Sequence, residues 1–195
     1  MKKKDSSARK CKPIRYEKLD TYSTKACKSN DRFTKQFGLM IAVGIRTALR
    51  FSDLHKLHIN QLQNIEGKWY LIGTAQKTKV DYKLYLNDWL AELLQQNANS
   101  NGLLIHNYGK SFSATWFNRR IQKEFEDEHI EAIKQNLTIG AHSMRKASAL
   151  HLLESSKGNL NAVVNWLGHR NREVTQKYLM LEEKEINLLA YMAFQ

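Results

Sequence analysis

The chain has 195 residues, of which 42% are hydrophobic, so it is long enough to bury a core of its own as one globular domain. Lysine and arginine outnumber aspartate and glutamate by 31 to 19, and the resulting net charge of +12 indicates a polyanionic partner such as nucleic acid. No apolar run approaches the roughly twenty residues of a membrane span, and two cysteines make neither a disulfide framework nor a recognisable metal site.

The N-terminal residues are basic and almost free of apolar side chains. Residues 1–12 are dense in lysine, arginine and serine, and they predict a flexible basic arm that we extend over residues 1–30. Such an arm could contact DNA phosphates or remain a solvated tail, and both interpretations stay open. The ordered domain is predicted to cover residues 31–195.

A helix is predicted from Asp31, because apolar residues then recur every three or four positions behind a capping aspartate. It leads into the sequence T-A-L-R-F-S-D-L at residues 47–54, where Ser52 is the predicted cap of a second, short helix. Two histidines follow, His55 and His58, at a spacing that could seat a metal ion. Without a nearby carboxylate or cysteine to complete the set, we expect no metal there.

Residues 60–86 predict a small antiparallel sheet, since apolar and polar side chains alternate along them. The expected turns are Glu66–Gly67 and residues 75–78. Lys77 lies at the tip of the second turn, in the sequence Q-K-T-K, and Lys68 and Lys79 are the alternatives for a functional lysine.

The remainder of the chain is predicted to be helical. Asp88 is the predicted cap of a helix that reaches Gln96, and Ser113 is the predicted cap of a longer helix that reaches about residue 131. Further helices are expected after Gly140 and from Asn159, and a last one over about residues 182–193. The predicted class is therefore α+β, mainly helical with a small antiparallel sheet.

Four residues in the last third of the domain suggest phosphodiester chemistry. His142 and Arg145 stand one helical turn apart, in the sequence H-S-M-R, so an acid/base group lies beside a fixed cation. Leu167-Gly168-His169 adds a second histidine after a turn, and Tyr178 follows nine residues later as a candidate nucleophile. Such a set could hold and attack a phosphate.

These motifs resemble the catalytic domain of the tyrosine recombinases, the phage integrase family. The family pattern is H-x-x-R, a helix pair, L-G-H and a tyrosine about nine residues on, and an upstream T-G-L-R-x-S-E-L segment is matched here with Ala48 for glycine and Asp53 for glutamate. The resemblance implies that Arg50 is the first catalytic arginine, in preference to Arg46, which lacks the R-x-S-D-L context. It also implies that Lys77 is the catalytic lysine.

The resemblance implies a metal-free, cofactor-free enzyme in which Tyr178 attacks a scissile phosphate and leaves a 3′-phosphotyrosine. Arg50 and Arg145 would clamp the phosphate oxygens, Lys77 would protonate the leaving 5′-oxygen, His142 would act on the tyrosine proton and His169 would hydrogen-bond the phosphate. Further predicted DNA contacts are Lys79, Arg119, Arg120, Lys123, Lys146, Arg170 and Arg172. The implied partners are double-stranded DNA at a specific site, other copies of the chain up to a tetramer, and accessory DNA-bending proteins.

Most family members carry an N-terminal DNA-clamping domain, and only about thirty residues precede the predicted catalytic domain here. The chain is thus expected to be either a small single-domain recombinase, like the fimbrial-switch inverting recombinases, or a fragment. A DNA-binding accessory factor with the same fold and a type IB topoisomerase are the alternative functions. We expect cytoplasmic action on bacterial, phage or mobile-element DNA.

Overall fold

The computed structural model describes residues 10–169 and 171–179, and these form a mainly helical protein with one small antiparallel sheet. The helices are α1 (Tyr16–Ala26), α2 (Arg32–Thr47), α3 (Phe51–Leu54), α4 (Asp88–Asn97), α5 (Ala114–Glu124), α6 (Glu126–Lys134), α7 (Ala141–Ser155), α8 (Leu160–Leu167) and α9 (Arg172–Leu179). The strands are β1 (Leu62–Ile65), β2 (Lys68–Thr74) and β3 (Asp81–Leu86). The predicted α+β class is confirmed.

None of the helices in the described ranges is long and apolar enough to cross a membrane.

Helix α2 is the centre of the core. The Asp31 carboxylate caps it by accepting a hydrogen bond from the Thr34 N–H at 2.8 Å, as the sequence predicted. Most of its residues are buried, and Phe37, Met40 and Ile41 are fully inaccessible. Helices α1 and α7 pack against it, so the residues at its C-terminal end are held at fixed positions relative to α7.

Helix α1 shows that the predicted flexible arm is wrong for residues 10–26. Lys12 donates its backbone N–H to the Thr138 carbonyl at 2.8 Å, and α1 then buries Leu19, Ser23 and Ala26. It packs so closely on α2 that a Cβ added to Gly38 would lie 2.7 Å from the Ala26 Cβ. Residues 1–9 of the arm lie outside the described part of the chain.

The sheet has the order β1-β2-β3, with both pairs antiparallel. The predicted turn at Glu66–Gly67 is confirmed, and both of its residues have positive φ, 52° and 76°. The pairing of β2 with β3 ends at Thr74 opposite Asp81. Residues 75–80 therefore form the loop of the second hairpin, which includes Lys77.

Several helix boundaries differ from the predicted ones. Asn87, not Asp88, caps α4, because its side chain accepts from the Leu90 N–H at 3.1 Å. Arg50 rather than Ser52 precedes α3. The helix predicted from Ser113 begins as expected but breaks at Phe125, whose φ of −120° and ψ of 52° are not helical and whose phenyl ring is buried. The helix predicted over residues 182–193 lies outside the described residues.

A second, smaller hydrophobic cluster holds α7, α8 and α9 together. Its buried members come from these three helices and from the turn after α2: Ala48, Ala149, Leu153, Leu160, Val163, Val164, Leu167 and Leu179. Tyr178 is partly buried against it. The residues of the H-x-x-R and L-G-H motifs are therefore positioned by one common packing unit.

Candidate active site

The first turn of α7 is fixed by two polar contacts. The Ala141 N–H donates to the Asn118 side-chain oxygen at 3.0 Å, and the Gly140 N–H donates to the Ser143 hydroxyl at 3.1 Å. His142 lies at the exposed edge of this turn, while Arg145 points inward and is only 5% exposed. The H-x-x-R pair thus presents one side chain to solvent and one to the interior.

Arg145 links the turn after α2 to the end of α8. Its guanidinium donates to the Ala48 carbonyl and, at 2.7 Å, to the Leu167 carbonyl. Ala48 keeps the left-handed conformation, with φ of 49°, although alanine replaces the common glycine there. Burial lowers the pKa of Arg145 to about 10, so the side chain stays charged at neutral pH.

Arg50 lines the same cleft as Arg145, together with Asp53, Leu167 and Gly168. Arg46, the alternative arginine, donates instead to the Asp20 carboxylate at 2.6 Å and to the Ala42 carbonyl. These contacts tie Arg46 to α1 and to its own helix. The placement supports Arg50 as the arginine of the site.

Lys77 is exposed in the loop of the second hairpin. The Asp53 carboxylate accepts from the backbone N–H of Gln76 at 2.8 Å, which ties this loop to α3 and so to Arg50. Lys68 lies at the other end of β2, so the structure favours the loop lysines, Lys77 and Lys79, over it.

His169 follows α8 in a fixed turn. Gly168 has φ of 61°, and the His169 N–H donates to the Val164 carbonyl at 3.1 Å. The ring nitrogen Nδ1 lies 2.9 Å from the Thr175 hydroxyl. Burial, with the positive charges of Arg145 and Arg50, lowers the pKa of His169 to about 4, so the ring is neutral at pH 7.

Tyr178 lies on α9 against both histidines. Its ring meets that of His169 edge to face, with centroids 5.3 Å apart, and the His142 ring centroid is 6.4 Å away. Burial raises the pKa of the phenol to about 12, and the charges of Arg145 and Arg50 oppose this increase. The phenol is therefore protonated at neutral pH and needs a base to react.

The electrostatics of the site suit an anion. The pKa of His142 is lowered by partial burial and then by the charges of Arg145, Lys146, Arg50 and Lys77. A region with so much positive charge binds a phosphate favourably, while a neutral imidazole beside the phenol can accept its proton. All six residues proposed from the sequence contribute to this one region: Arg50, Lys77, His142, Arg145, His169 and Tyr178.

The predicted DNA contacts outside the cleft divide into two groups. Lys79, Arg119, Lys123 and Arg172 are exposed. Arg120 instead pairs with Glu124 at 2.7 Å and donates to Thr34. Lys146 is 4% exposed and donates to the Cys11 carbonyl at 2.7 Å, with its ammonium 5.3 Å from the Tyr178 ring centroid.

The structure thus argues against Arg120 and Lys146 as phosphate contacts, because internal partners already hold both cations. Arg170 lies outside the described residues.

Three side chains that shape the site were not expected from the sequence to do so. Asn118 caps α7 from α5, Asp53 anchors the hairpin loop, and Thr175 contacts His169. Asn118 and Thr175 act across elements that are distant in sequence or through a turn, so no local pattern signals them. Asp53 belongs to the matched R-x-S-D-L segment, but that segment did not indicate its contact with the hairpin loop. His58 caps the short 3₁₀ turn Ile59–Gln61, and His55 stacks on Phe51, which accounts for the histidine pair structurally.

Comparison with known proteins gives a consistent result. Residues 16–185 match the family described as the phage integrase family. Tyrosine recombinase XerC of Actinobacillus succinogenes is 30% identical over 169 residues, which are 82% of this chain and 54% of that protein. Tyrosine recombinase XerC of Proteus mirabilis is 33% identical over 151 residues, 73% of this chain and 47% of that protein.

Solved structures show the same fold. XerH site-specific recombinase, in a pre-cleavage complex with its difH substrate, superposes with a TM-score of 0.69 at 17% identity, over 93% of this chain and 54% of that one. The catalytic domain of bacteriophage HP1 integrase gives 0.56 at 18% identity, over 93% and 94%. The chain spans about half the length of the XerC proteins that it matches.

Proposed function

This chain belongs to the phage integrase family, and on that premise we propose that it is a site-specific DNA recombinase that cleaves and rejoins strands through a 3′-phosphotyrosine. The observation that carries the proposal is the convergence of Arg50 and Arg145 on one cleft, with Tyr178 beside the rings of two histidines. The proposed substrate is double-stranded DNA at a specific site. The XerH structure, in which the recombinase is bound to its DNA substrate, supports a DNA partner.

In the proposed cleavage step, the Tyr178 oxygen bonds to phosphorus as the bond from phosphorus to the 5′-oxygen breaks. His142 accepts the phenol proton, and Lys77 gives a proton to the departing oxygen. Arg145 uses two of its five N–H groups on backbone carbonyls, so the remaining donors can hold non-bridging oxygens together with Arg50.

Rejoining reverses this step, with a 5′-hydroxyl of a new partner strand as the attacking group. The phosphotyrosine keeps the bond energy of the broken strand, so the reaction needs no ATP. The arginines and the lysine supply the positive charge that a metal ion supplies in other phosphoryl transfers.

We further propose that the chain acts as a dimer to tetramer on DNA, with accessory DNA-bending proteins, and that it works where bacterial, phage or mobile-element DNA lies, in the cytoplasm.

The test is a suicide-substrate assay. Nicked duplexes from the DNA that flanks the coding sequence are incubated, without added metal, with the wild type and with Tyr178→Phe. We expect a covalent protein–DNA adduct on a denaturing gel from the wild type alone. DNA binding by both proteins without any adduct would instead favour the accessory-factor function.

A further inference from the structure

Thr175 is a fully buried threonine on α9, one helical turn before Tyr178. Its hydroxyl oxygen lies 2.9 Å from Nδ1 of His169. The contact joins the helix of the proposed nucleophile to a histidine of the site. Thr175 is not among the residues assigned to the reaction above.

The direction of this hydrogen bond follows from the burial of the hydroxyl. A buried hydroxyl proton needs an acceptor, because an unmade hydrogen bond costs about 1–3 kcal/mol. Within residues 10–169 and 171–179, His169 Nδ1 is the one partner that the Thr175 hydroxyl meets. The hydroxyl therefore donates to Nδ1, which must carry no proton. A neutral ring with Nδ1 unprotonated carries its proton on Nε2.

The backbone of His169 is held by α8, whereas its ring is held by α9. The left-handed turn at Gly168 and the bond from the His169 N–H to the Val164 carbonyl fix the backbone at the end of α8. Because the ring bond comes from α9, the orientation of the imidazole depends on α9 being in place. The same helix carries Tyr178, whose ring packs edge to face on His169.

We propose that Thr175 is a positioning residue whose hydroxyl holds His169 as the Nε2–H tautomer, so that the ring donates a hydrogen bond to the phosphate that Tyr178 attacks. This inference rests on the proposed recombinase function, since it gives the tautomer a task in the same site. Helix α9 carries Tyr178 and, through Thr175, also orients the His169 ring. The nucleophile and the hydrogen-bond donor are therefore positioned together.

The test compares Thr175→Val, which keeps the shape and removes the hydroxyl, with Thr175→Ser, which restores it. Nitrogen-15 NMR of histidine-labelled protein at pH 7.5, with His169→Gln to assign the signal, reads the tautomer without DNA. We expect the wild type and Thr175→Ser to show Nδ1 unprotonated and hydrogen-bonded. In Thr175→Val the Nδ1 signal should move as that bond is lost.

Single-turnover cleavage of the suicide substrate gives the second readout. Thr175→Val should cleave about 10- to 100-fold more slowly at unchanged DNA affinity, and Thr175→Ser should recover to within a few fold. A proton on Nδ1 in the wild type, or full-rate cleavage by Thr175→Val, would overturn the inference. If the wild type formed no adduct, the proposed function itself would be overturned. This outcome is read from the wild type alone, so it is distinguishable from a failure of the inference about Thr175.

Discussion

Arg46 and Arg50 are one turn apart in the sequence, yet they contact different parts of the molecule. Arg46 is bound by Asp20 on α1, whereas Arg50 lines the cleft with Arg145. Replacing a guanidinium by an ammonium keeps the charge but removes the two-pronged contact that suits a phosphate. The two arginines therefore form a matched pair for mutation.

We predict that Arg50→Lys lowers single-turnover cleavage by about 100- to 1000-fold, the usual cost of losing a donor to a developing charge. Arg46→Lys should cleave within a few fold of the wild type. The cleavage rates of both variants are measured as adduct formation under single-turnover conditions. Equal losses from the two substitutions would show that the arginine of the site had been assigned wrongly.

His142 and Tyr178 make a prediction about pH. Because the pKa of Tyr178 is raised to about 12, the phenol keeps its proton throughout the neutral range and depends on a base. The pKa of His142 is lowered below its ordinary value of 6.5, so the ring is ready to accept a proton at neutral pH and loses this ability as the pH falls.

The wild-type cleavage rate should rise with pH through the lowered pKa of His142 and level off by about pH 7. His142→Gln should be slower by about 100-fold at pH 7 and should keep rising with pH, since only solvent base then removes the phenol proton. Single-turnover rates from pH 5 to 9 provide the comparison. A wild-type rate that climbs steadily to pH 9 would exclude His142 as the base.

At the scale of elements, the position of α1 is the feature that the sequence least predicted. Its buried face consists of Leu19, Ser23 and Ala26, and a face with one large apolar residue gives little helical periodicity. Gly38 of α2 lets the backbones of the two helices approach closely, and this spacing leaves room only for small side chains such as Ala26 at the contact. Packing of this kind becomes apparent only when the two helices are placed side by side.

Other elements were predictable because their signals are local. Asp31, Ser113 and Asn159 cap helices by bonding to backbone N–H groups three residues on, and Glu66–Gly67 is a two-residue hairpin turn. The residues of the candidate site were likewise predictable where they belong to motifs of fixed spacing, as His142, Arg145, His169 and Tyr178 do. Its long-range supports, such as the α5 residue Asn118 that caps α7, depend on tertiary contacts and carry no sequence signal.

We predict that Gly38→Ala destabilises the protein by about 1–3 kcal/mol, since the new methyl would meet the backbone N of Cys27, the residue that ends α1, 2.9 Å away. Gly44→Ala, in the same helix, should cost less, because there the obstacle is the flexible end of Met144. Chemical denaturation measures both. If α1 did not pack on α2, Gly38→Ala would instead stabilise the helix by up to about 1 kcal/mol.

At the scale of the whole molecule, the net charge of +12 should make DNA binding strongly salt-dependent. Arg119 is exposed on α5, whereas its neighbour Arg120 is held by Glu124 and Thr34. The slope of log affinity against log salt should shrink by about 0.9 for Arg119→Gln if that residue contacts one phosphate. Arg120→Gln should leave the slope unchanged, and the reverse pattern would contradict the assignment.

Strand cleavage by the proposed mechanism attaches Tyr178 covalently to DNA and releases a 5′-hydroxyl. The most direct measurement is to isolate the protein–DNA adduct, digest both components and identify the modified residue and the attached strand end by mass spectrometry. We predict a nucleotide linked through its 3′-phosphate to Tyr178. A nucleotide on any other residue, or attachment through a 5′-phosphate, would contradict the account.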